Sequence, residues 1–199
     1  CGSFRKEIVV VDDHSTDDSW AILQQYQENY PNEIFIYRNP QKGGNSARNF
    51  GFTQVSGDFI QWLDSDDVLL PNKFSKQLQA FSKNERVDVV YSDWRMDSYN
   101  ADKEIAKHQL VQRKPDDDFL FTLLVNKDWN SPNAYLCRRN VCEYMDTIGG
   151  WSEITKVGQD REYFTQLAIN GAKFEYESGE FAVYNRWSAQ TVSNKFSSF

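Results

Sequence analysis

Carboxylates at the ends of predicted strands are the residues of this sequence whose types and spacing could do chemistry. Acids follow three apolar runs: Asp12 and Asp13 after IVVV, Asp64, Asp66 and Asp67 after FIQWL, and Asp93 after VDVVYS. Like charges gathered at one edge cost free energy unless a cation or a donor-rich ligand meets them. The pattern predicts that a hard divalent ion, Mg²⁺ or Mn²⁺, compensates the charge of these acids. The same ion would be bound by the phosphate oxygens of a ligand.

The elements that position these acids alternate along the first half of the chain. Strands are predicted at 6–12, 34–38, 59–63 and 87–91, and helices at 15–30, 43–57 and 72–81. The alternation predicts an α/β fold, with a mixed, mainly parallel sheet flanked by helices. In such sheets ligands bind beyond the carboxyl ends of the strands, where the acids are predicted to lie.

The second half of the chain is less regular. The polar stretch 100–118 is predicted to be a loop or lid, and 119–125 and 158–171 to be helices. Strands are predicted at 133–137, 173–176 and 181–186. We place no domain boundary and predict a single domain over 1–199.

Composition excludes several classes of protein. Of 199 residues, 22 are basic and 29 acidic, so the net charge of −7 argues against a nucleic-acid binder. No apolar run approaches the roughly 20 residues of a membrane-spanning helix. Three cysteines, Cys1, Cys137 and Cys142, do not form a disulfide framework; they favour a reducing compartment, with Cys137 and Cys142 in the core.

Each acidic segment also has a purely structural interpretation, because Asp and Ser often cap helices. Neither segment is an EF-hand, which needs a glycine at loop position six and a glutamate at position twelve. The sequence contains no nucleotide-binding glycine motif of the GxGxxG or GxxxxGK[ST] type and no HExxH. Neither His14 nor His108 lies in a hydrolase motif, and His108 is predicted to be a solvated loop residue.

Four segments resemble motifs of the family 2 glycosyltransferases, which have the GT-A fold. VVVDDHSTDDS (9–19), GGNSARNFG (43–51) and FIQWLDSDDVLLP (59–71) follow one another at the family's spacing, and GGWSEITKVGQDREYFTQLAINGAKF (149–174) resembles its acceptor-side segment. The resemblance implies a metal-dependent, inverting sugar transfer from a nucleotide-diphosphate sugar, with a UDP-sugar as the expected donor. The expected acceptor is a hydroxyl of a glycan or lipid-linked saccharide, as in surface polysaccharide synthesis. The resemblance further implies that about 1–97 is the nucleotide-sugar-binding half of the domain and about 98–199 the acceptor-binding half, with a smaller acceptor-side subregion.

The resemblance also implies roles for single residues. Asp13, with Asp12 beside it, matches the acid that contacts the nucleobase. Asp64 and Asp66 match the two acids of the DxD motif, of which the first faces the ribose and the second binds Mg²⁺ or Mn²⁺. Asp160 matches the base that deprotonates the acceptor. We expect these acids to share one cleft.

Further candidates extend this set. Lys42 and Arg48, near the second motif, are candidate donor-binding residues. Because sugar rings stack on indoles, Trp129, Trp151 and Trp187 are candidate sugar or acceptor contacts, together with Asp67; core packing is the alternative for each tryptophan.

The sequence departs from the family pattern at four places. His14 replaces the glycine usual after Asp-Asp, Gln159 replaces the glutamate usual before Asp160, and Trp187 stands where relatives often have a metal-side histidine. The family also usually begins one strand–helix unit earlier. We therefore expect the sequence to be a fragment of a longer chain.

Two other functions remain open at this point. One is a nucleotidyltransferase that makes an activated sugar, and the other is a relative that binds a nucleotide-sugar or glycan without turnover. For all three we expect a cytoplasmic protein, with peripheral association at the inner face of the membrane as an option, and we leave the oligomeric state open.

Overall fold

The computed structural model describes residues 4–113, 120, 123–124 and 130–187, which form two compact units. Unit 1 comprises Cys1–Asp58 and Glu143–Gln159, and unit 2 comprises Phe59–Cys142 and Asp160–Phe199. Because each unit is assembled from two stretches of chain, the boundary of the units differs from the predicted one near residue 97. The single domain and its two functional halves stay predictions.

Unit 1 is built on two parallel strands joined by a helix. β1 (Ile8–Asp12) pairs with β2 (Ile34–Arg38), and α1 (Ser19–Asn29) connects them. The β-branched run in β1 favours an extended backbone. α2 (Gly44–Gln54) packs on β1, where a Cβ on Gly51 would lie 3.2 Å from Val11 Cγ2. The close approach of helix and strand therefore favours glycine at position 51, because a Cβ there would push the Val11 side chain aside.

Unit 2 is built on six strands. They are β3 (Phe59–Ile60), β4 (Val68–Leu69), β5 (Val89–Tyr99), β6 (Ile105–Val111), β7 (Tyr135–Arg138) and β8 (Phe174–Trp187). Their order is β3-β7-β5-β8-β4, with β6 also paired to β5. β5 is the central strand: it runs parallel to β8 and antiparallel to β6 and β7.

Helices pack against this sheet. The described chain contains α3 (Lys73–Lys83), α4 (Arg139–Thr147, which belongs partly to each unit), α5 (Gln159–Ile169) and a 3₁₀ turn at Pro132–Ala134. Ala80 and Phe81 of α3 join Val87, Val90 and Leu136 in one buried cluster. From α5, Phe164 stacks on Tyr135 with ring centroids 3.7 Å apart. As predicted, α5 buries Tyr163, Phe164 and Leu167.

The α/β class, with a mixed sheet flanked by helices, is confirmed. The proportion of parallel pairs is lower than the alternation predicts: β1–β2 and β5–β8 are parallel, and the other four pairings of described strands are antiparallel. The second half of the chain causes this difference, because β6 and β7 run antiparallel to β5, and β8 runs antiparallel to β4. Their pairing partners are distant in sequence, so local patterns do not reveal the direction.

Several elements differ from the sequence predictions. The helix α4 and the short strand β4 were not predicted, and β5 continues to Tyr99, beyond the strand predicted at 87–91. The strand predicted at 59–63 is only two residues long. Residues 105–111, predicted to lie in a loop or lid, form β6, because their backbone groups pair with the extended end of β5. The two closing strands are one strand, β8, which passes through Gly179 at φ 136°; a Cβ there would lie 2.4 Å from the Phe181 ring. The helix predicted at 119–125 lies mostly outside the described residues.

Two expectations about the chain are met. No helix within the described ranges is long and apolar enough to cross a membrane. Cys137 and Cys142 are buried free thiols, which confirms their core placement.

Candidate active site

Asp12 ends β1 and is anchored inside unit 1. It is 5% exposed, and its Oδ2 lies 2.9 Å from a guanidinium nitrogen of Arg38, its register partner on β2. The Arg38 guanidinium in turn lies over the Trp20 ring, 4.0 Å from the centroid. The buried carboxylate is thus neutralised by a cation of its own unit.

Asp13 organises the start of α2. Its Oδ1 accepts hydrogen bonds of 2.8 Å from the Gly43 backbone N–H and from Asn39 Nδ2. Gly43 has φ 146°, a conformation that favours glycine. Within the described chain, Asp13 Oδ2 takes part in no hydrogen bond, so this oxygen is available to a ligand.

The two basic candidates of unit 1 differ in surroundings. Lys42 is exposed. Arg48 donates to Asn45 Oδ1 at 3.0 Å, and its guanidinium lies over the Trp151 ring, 4.7 Å from the centroid. Trp151 is only 2% exposed, which favours core packing over the sugar contact predicted for it.

Sequence reasoning missed the role of two asparagines in the GGNSARNFG motif. Asn49 bonds the backbone of Trp151 twice, accepting from its N–H at 2.7 Å and donating to its carbonyl at 2.9 Å. Asn45 Nδ2 donates to the Ser152 carbonyl. The i, i+4 spacing of the two residues, which places them on one helix face, is the signal that could have revealed them.

The Asp64–Asp67 turn precedes β4 in unit 2. The Asp67 backbone N–H donates to the Asp64 carbonyl at 3.1 Å, which closes the turn. Asp66 is exposed, and Asp64 is half-buried. Partial desolvation and the neighbouring Asp64 carboxylate both raise the pKa of Asp66. The two acids of the DxD motif therefore repel one another, and a cation bound between them would relieve that repulsion.

Asp67 has an internal role. It is 9% exposed and accepts hydrogen bonds from the Asn185 backbone N–H, Asn133 Nδ2 and Ser131 Oγ. Burial, together with Asp64 and Asp66, raises its pKa to about 7. These contacts favour a structural anchor over the sugar or acceptor contact predicted from sequence.

Asp160 lies in the first turn of α5, also in unit 2. Burial and then four carboxylates raise the pKa of Tyr184: Asp67, Asp66, Asp160 and Asp64. The acids of the DxD turn and Asp160 therefore all lie in unit 2, and all influence the pKa of one phenol. Sequence reasoning did not single out Tyr184.

The residues of the DxD turn fit a divalent ion completed by a ligand. Among the described residues, no group of three or more His, Cys, Asp or Glu could hold a metal ion alone. Mg²⁺ is commonly held by one or two carboxylates together with substrate phosphates. Exposed Asp66 beside Asp64 is a donor set of that kind.

The remaining candidates are placed as follows. Trp187 is half-buried, and its side chain lowers the pKa of Asp66. Trp129 lies outside the described residues. His108 is on β6, not in a loop, and its Nδ1 lies 2.5 Å from Asp97 Oδ1. Asp93 is buried under the Tyr176 hydroxyl, so it does not belong to the exposed acids.

Comparison with known proteins defines the class of this α/β fold. A family model described as Glycosyl transferase family 2 matches residues 3–145. The chain belongs to this family. Its fold is the GT-A fold that the resemblance in its sequence implies.

The chain is similar to one relative in sequence and to two solved structures that can be described in more detail. The chain is 38% identical over 88 residues to the UDP-Glc:alpha-D-GlcNAc-diphosphoundecaprenol beta-1,3-glucosyltransferase WfaP of Escherichia coli, covering 44% of this chain and 34% of WfaP. It is similar in fold to S. aureus TarS 1–349 in complex with UDP-GlcNAc (TM-score 0.70, 20% identity, 97% of this chain and 52% of that one). The Pyrobaculum calidifontis mannosyltransferase PcManGT in complex with GDP-Man and Mn²⁺ gives a TM-score of 0.61 at 19% identity, covering 89% and 47%.

The chain is shorter than these relatives. It spans 13% to 45% of the curated relatives compared with it and 31% to 52% of the solved structures.

Proposed function

We propose that the protein is an inverting glycosyltransferase that moves a sugar from a nucleotide-diphosphate sugar, specifically a UDP-sugar, to a hydroxyl of a glycan or lipid-linked acceptor in surface polysaccharide synthesis. The observation that carries the proposal is that exposed Asp66, its neighbour Asp64 and Asp160 all lie in unit 2, where each of them raises the pKa of Tyr184. Family membership supports the reaction class. The names of WfaP and of the TarS complex support a UDP-sugar donor, and that of WfaP a lipid-linked acceptor.

Asp160 is the proposed general base. As the acceptor oxygen bonds to the anomeric carbon, its proton passes to the Asp160 carboxylate, and the bond to the diphosphate breaks with its electron pair on the leaving oxygen. Attack from the face opposite the diphosphate inverts the configuration. A carboxylate within hydrogen-bond reach of the hydroxyl supplies the base that this step needs.

Asp66 and Asp64 are proposed to serve the leaving-group side. Asp66 would hold Mg²⁺ or Mn²⁺ with the donor's phosphate oxygens, and Asp64 would face the ribose. A bound divalent ion supplies positive charge for the departing diphosphate. The Mn²⁺ named with PcManGT supports this assignment.

Unit 1 supplies the remaining proposed donor contacts. Asp13 is the candidate for the nucleobase, because one of its carboxylate oxygens is not used within the described chain. Lys42 and Arg48 are candidate contacts of the donor's anionic groups. Asp12 acts through Arg38 and supports the strand end rather than the ligand.

The proposed substrates also suggest a place of action. A lipid-linked acceptor lies at a membrane surface, and nucleotide-sugars are metabolites of the cytoplasm. We therefore propose that the protein works in the cytoplasm, at the inner face of the membrane.

Two linked measurements test the function. UDP with Mn²⁺ should raise the melting temperature of the protein more than either alone, and a panel of nucleotide-sugars should identify the donor, because a ligand stabilises the fold that binds it. Asp160→Asn should lower kcat roughly 10²- to 10⁴-fold while donor affinity survives. Asp160 lies in the first turn of α5, so the variant also loses a favourable interaction with the helix dipole of about 0.5 kcal/mol, which is too small to account for a loss of turnover of this size.

Other outcomes would favour the other functions. Donor binding with no turnover on any acceptor would indicate a binding-only relative. Pyrophosphate release from a nucleoside triphosphate and a sugar phosphate would indicate a nucleotidyltransferase. An Asp160→Asn variant with full turnover would contradict the assignment of the base.

A further inference from the structure

The buried Asp67 ties the DxD turn to the body of unit 2. Its Oδ1 accepts from the Asn185 backbone N–H at 3.0 Å, and its Oδ2 accepts from Asn133 Nδ2 at 2.9 Å and from Ser131 Oγ at 3.3 Å. Ser131 and Asn133 are fully buried. The carboxylate next to Asp66 is therefore fixed on both of its oxygens, and it holds the end of the turn in place.

Asn185 holds the turn at a second point. Its side-chain Nδ2 donates to the backbone carbonyl of Asp66, and its Oδ1 accepts from the Tyr99 hydroxyl at 3.1 Å. Asn185 is 8% exposed and lies on β8, next to the central strand β5. Asn185 therefore bonds both residues, Asp67 through its backbone N–H and Asp66 through its side chain.

Aromatic residues support this contact. Tyr99 and Trp187 are register partners at the ends of β5 and β8, and their rings stack with centroids 4.0 Å apart and planes 17° apart. The exposed acid is thus held by its backbone carbonyl, from one end of one pair of strands.

We propose that Asn185, oriented by the Tyr99 hydroxyl, is a positioning residue that fixes the Asp64–Asp67 turn so that Asp66 is presented for metal-dependent donor binding. The proposal rests on the proposed function and extends it to residues that touch neither donor nor acceptor. Groups that orient a metal ligand typically change metal affinity roughly 10- to 100-fold when they are removed. A site with only one or two protein ligands depends strongly on such orientation.

The Tyr99 hydroxyl offers a conservative test. Tyr99→Phe removes one hydrogen bond to Asn185 and keeps a ring for the stack on Trp187. Tyr176→Phe is the matched control, because Tyr176 also joins β8 to β5, through hydroxyl bonds of 2.9 and 3.0 Å to Asp93. A merely structural role would make the two variants alike.

The test measures the affinity for Mn²⁺ at saturating UDP. The concentration of unbound Mn²⁺ is determined from its electron paramagnetic resonance signal. Asn185→Ala should weaken Mn²⁺ binding roughly 10- to 100-fold, and Tyr99→Phe about three- to tenfold. Tyr176→Phe should leave Mn²⁺ binding unchanged, even where it lowers the melting temperature. Amide hydrogen exchange at residues 65–67 should accelerate in Asn185→Ala and Tyr99→Phe but not in Tyr176→Phe.

The outcomes separate the two proposals. If the unmodified protein binds Mn²⁺ with UDP and folded Asn185→Ala binds it equally well, the positioning role is wrong while the proposed function stands. If Asn185→Ala does not fold, unchanged Mn²⁺ affinity in Tyr99→Phe has the same consequence. If the unmodified protein shows no Mn²⁺-dependent UDP binding, the metal-dependent function fails and the positioning role fails with it.

Discussion

Both units contain an adjacent pair of aspartates, and each unit buries one member of its pair. In unit 1 the buried acid is Asp12, whose carboxylate meets the Arg38 guanidinium. In unit 2 it is Asp67, and its described partners are the neutral donors of Asn185, Asn133 and Ser131. The same dipeptide is therefore anchored by a cation in one unit and by uncharged groups in the other.

The difference shows how the burial of a carboxylate is compensated. A guanidinium supplies a full positive charge, whereas amide and hydroxyl donors supply only dipoles. Burial accordingly raises the pKa of Asp67 to about 7 despite its three hydrogen bonds. An adjacent pair of acids at a strand end thus provides one buried acid that acts as an anchor and one acid that a ligand can reach. The residues around the buried acid determine whether its partner is a cation or a set of neutral donors.

Removing the anchor of unit 2 should have the largest effect on stability. Asp67→Ala leaves the buried Asn185 backbone N–H and Ser131 hydroxyl without the acceptor they have in this structure, and it leaves Asn133 Nδ2 with only the Val183 carbonyl. The free energy of unfolding should therefore fall by about 3 kcal/mol. Urea denaturation measures this change. Asp66→Ala is the control, and it should change stability by less than about 0.5 kcal/mol because its side chain is exposed. Equal losses in the two variants would contradict the division into anchor and exposed acid.

Lys73 extends the comparison to a buried base. It is 1% exposed, and its Nζ donates to the neutral acceptors Gln77 Oε1 and the Tyr135 carbonyl. Burial lowers its pKa to about 7 from 10.5, against an opposing effect of Cys137.

The pH dependence follows from that shift. Between pH 7 and 10.5 the unfolded chain keeps the Lys73 proton and the folded chain has lost it, so stability rises with pH in this window and is independent of this group below it. The contribution of this group is about 1 kcal/mol per pH unit. Urea denaturation from pH 7 to 9 should show the rise, and Lys73→Met should remove it. An unchanged slope in Lys73→Met would contradict the assignment.

The anchor of unit 1 should be worth less than that of unit 2. Asp12→Ala removes the partner of Arg38, whose side chain is 50% exposed and can be solvated in the variant. The expected loss is about 1 to 2 kcal/mol of unfolding free energy. A double-mutant cycle with Arg38→Met isolates the energy of the pair; additive effects of the two substitutions would indicate that the pair itself contributes nothing.

Local patterns were sufficient for the elements that are compact in sequence. β1, β2, α1 and α5 lie close to their predicted positions, because β-branched runs and helical spacing of apolar residues are set by neighbours along the chain. The class of fold followed from their alternation. The strand at 105–111 could not be predicted in this way: it is polar, mostly exposed and held by backbone pairing with β5.

The site shows the same division. The acids of the DxD motif and Asp160 were named from their motifs, and their contacts to a donor or acceptor stay predictions. Asn185 could not be found, because its contacts to the DxD turn join residues more than a hundred positions apart. A motif shows which residues can do the chemistry. The residues that orient them lie elsewhere in the sequence, on strands that the fold brings next to the motif.

The turn after the acid pair gives the smallest expected effect. In unit 1 the chain continues from Asp13 through His14, an exposed residue with φ 61°, where relatives usually have glycine. In unit 2 the chain continues from Asp67 directly into β4. A left-handed conformation costs a residue with a Cβ about 1 kcal/mol, partly offset by the greater freedom of glycine in the unfolded chain. His14→Gly should therefore raise the free energy of unfolding by about 0.5 kcal/mol, measured by urea denaturation. His14→Ala keeps the Cβ and should give no such gain. A loss of stability in His14→Gly would mean that the imidazole makes a favourable contact that outweighs the strain of the turn.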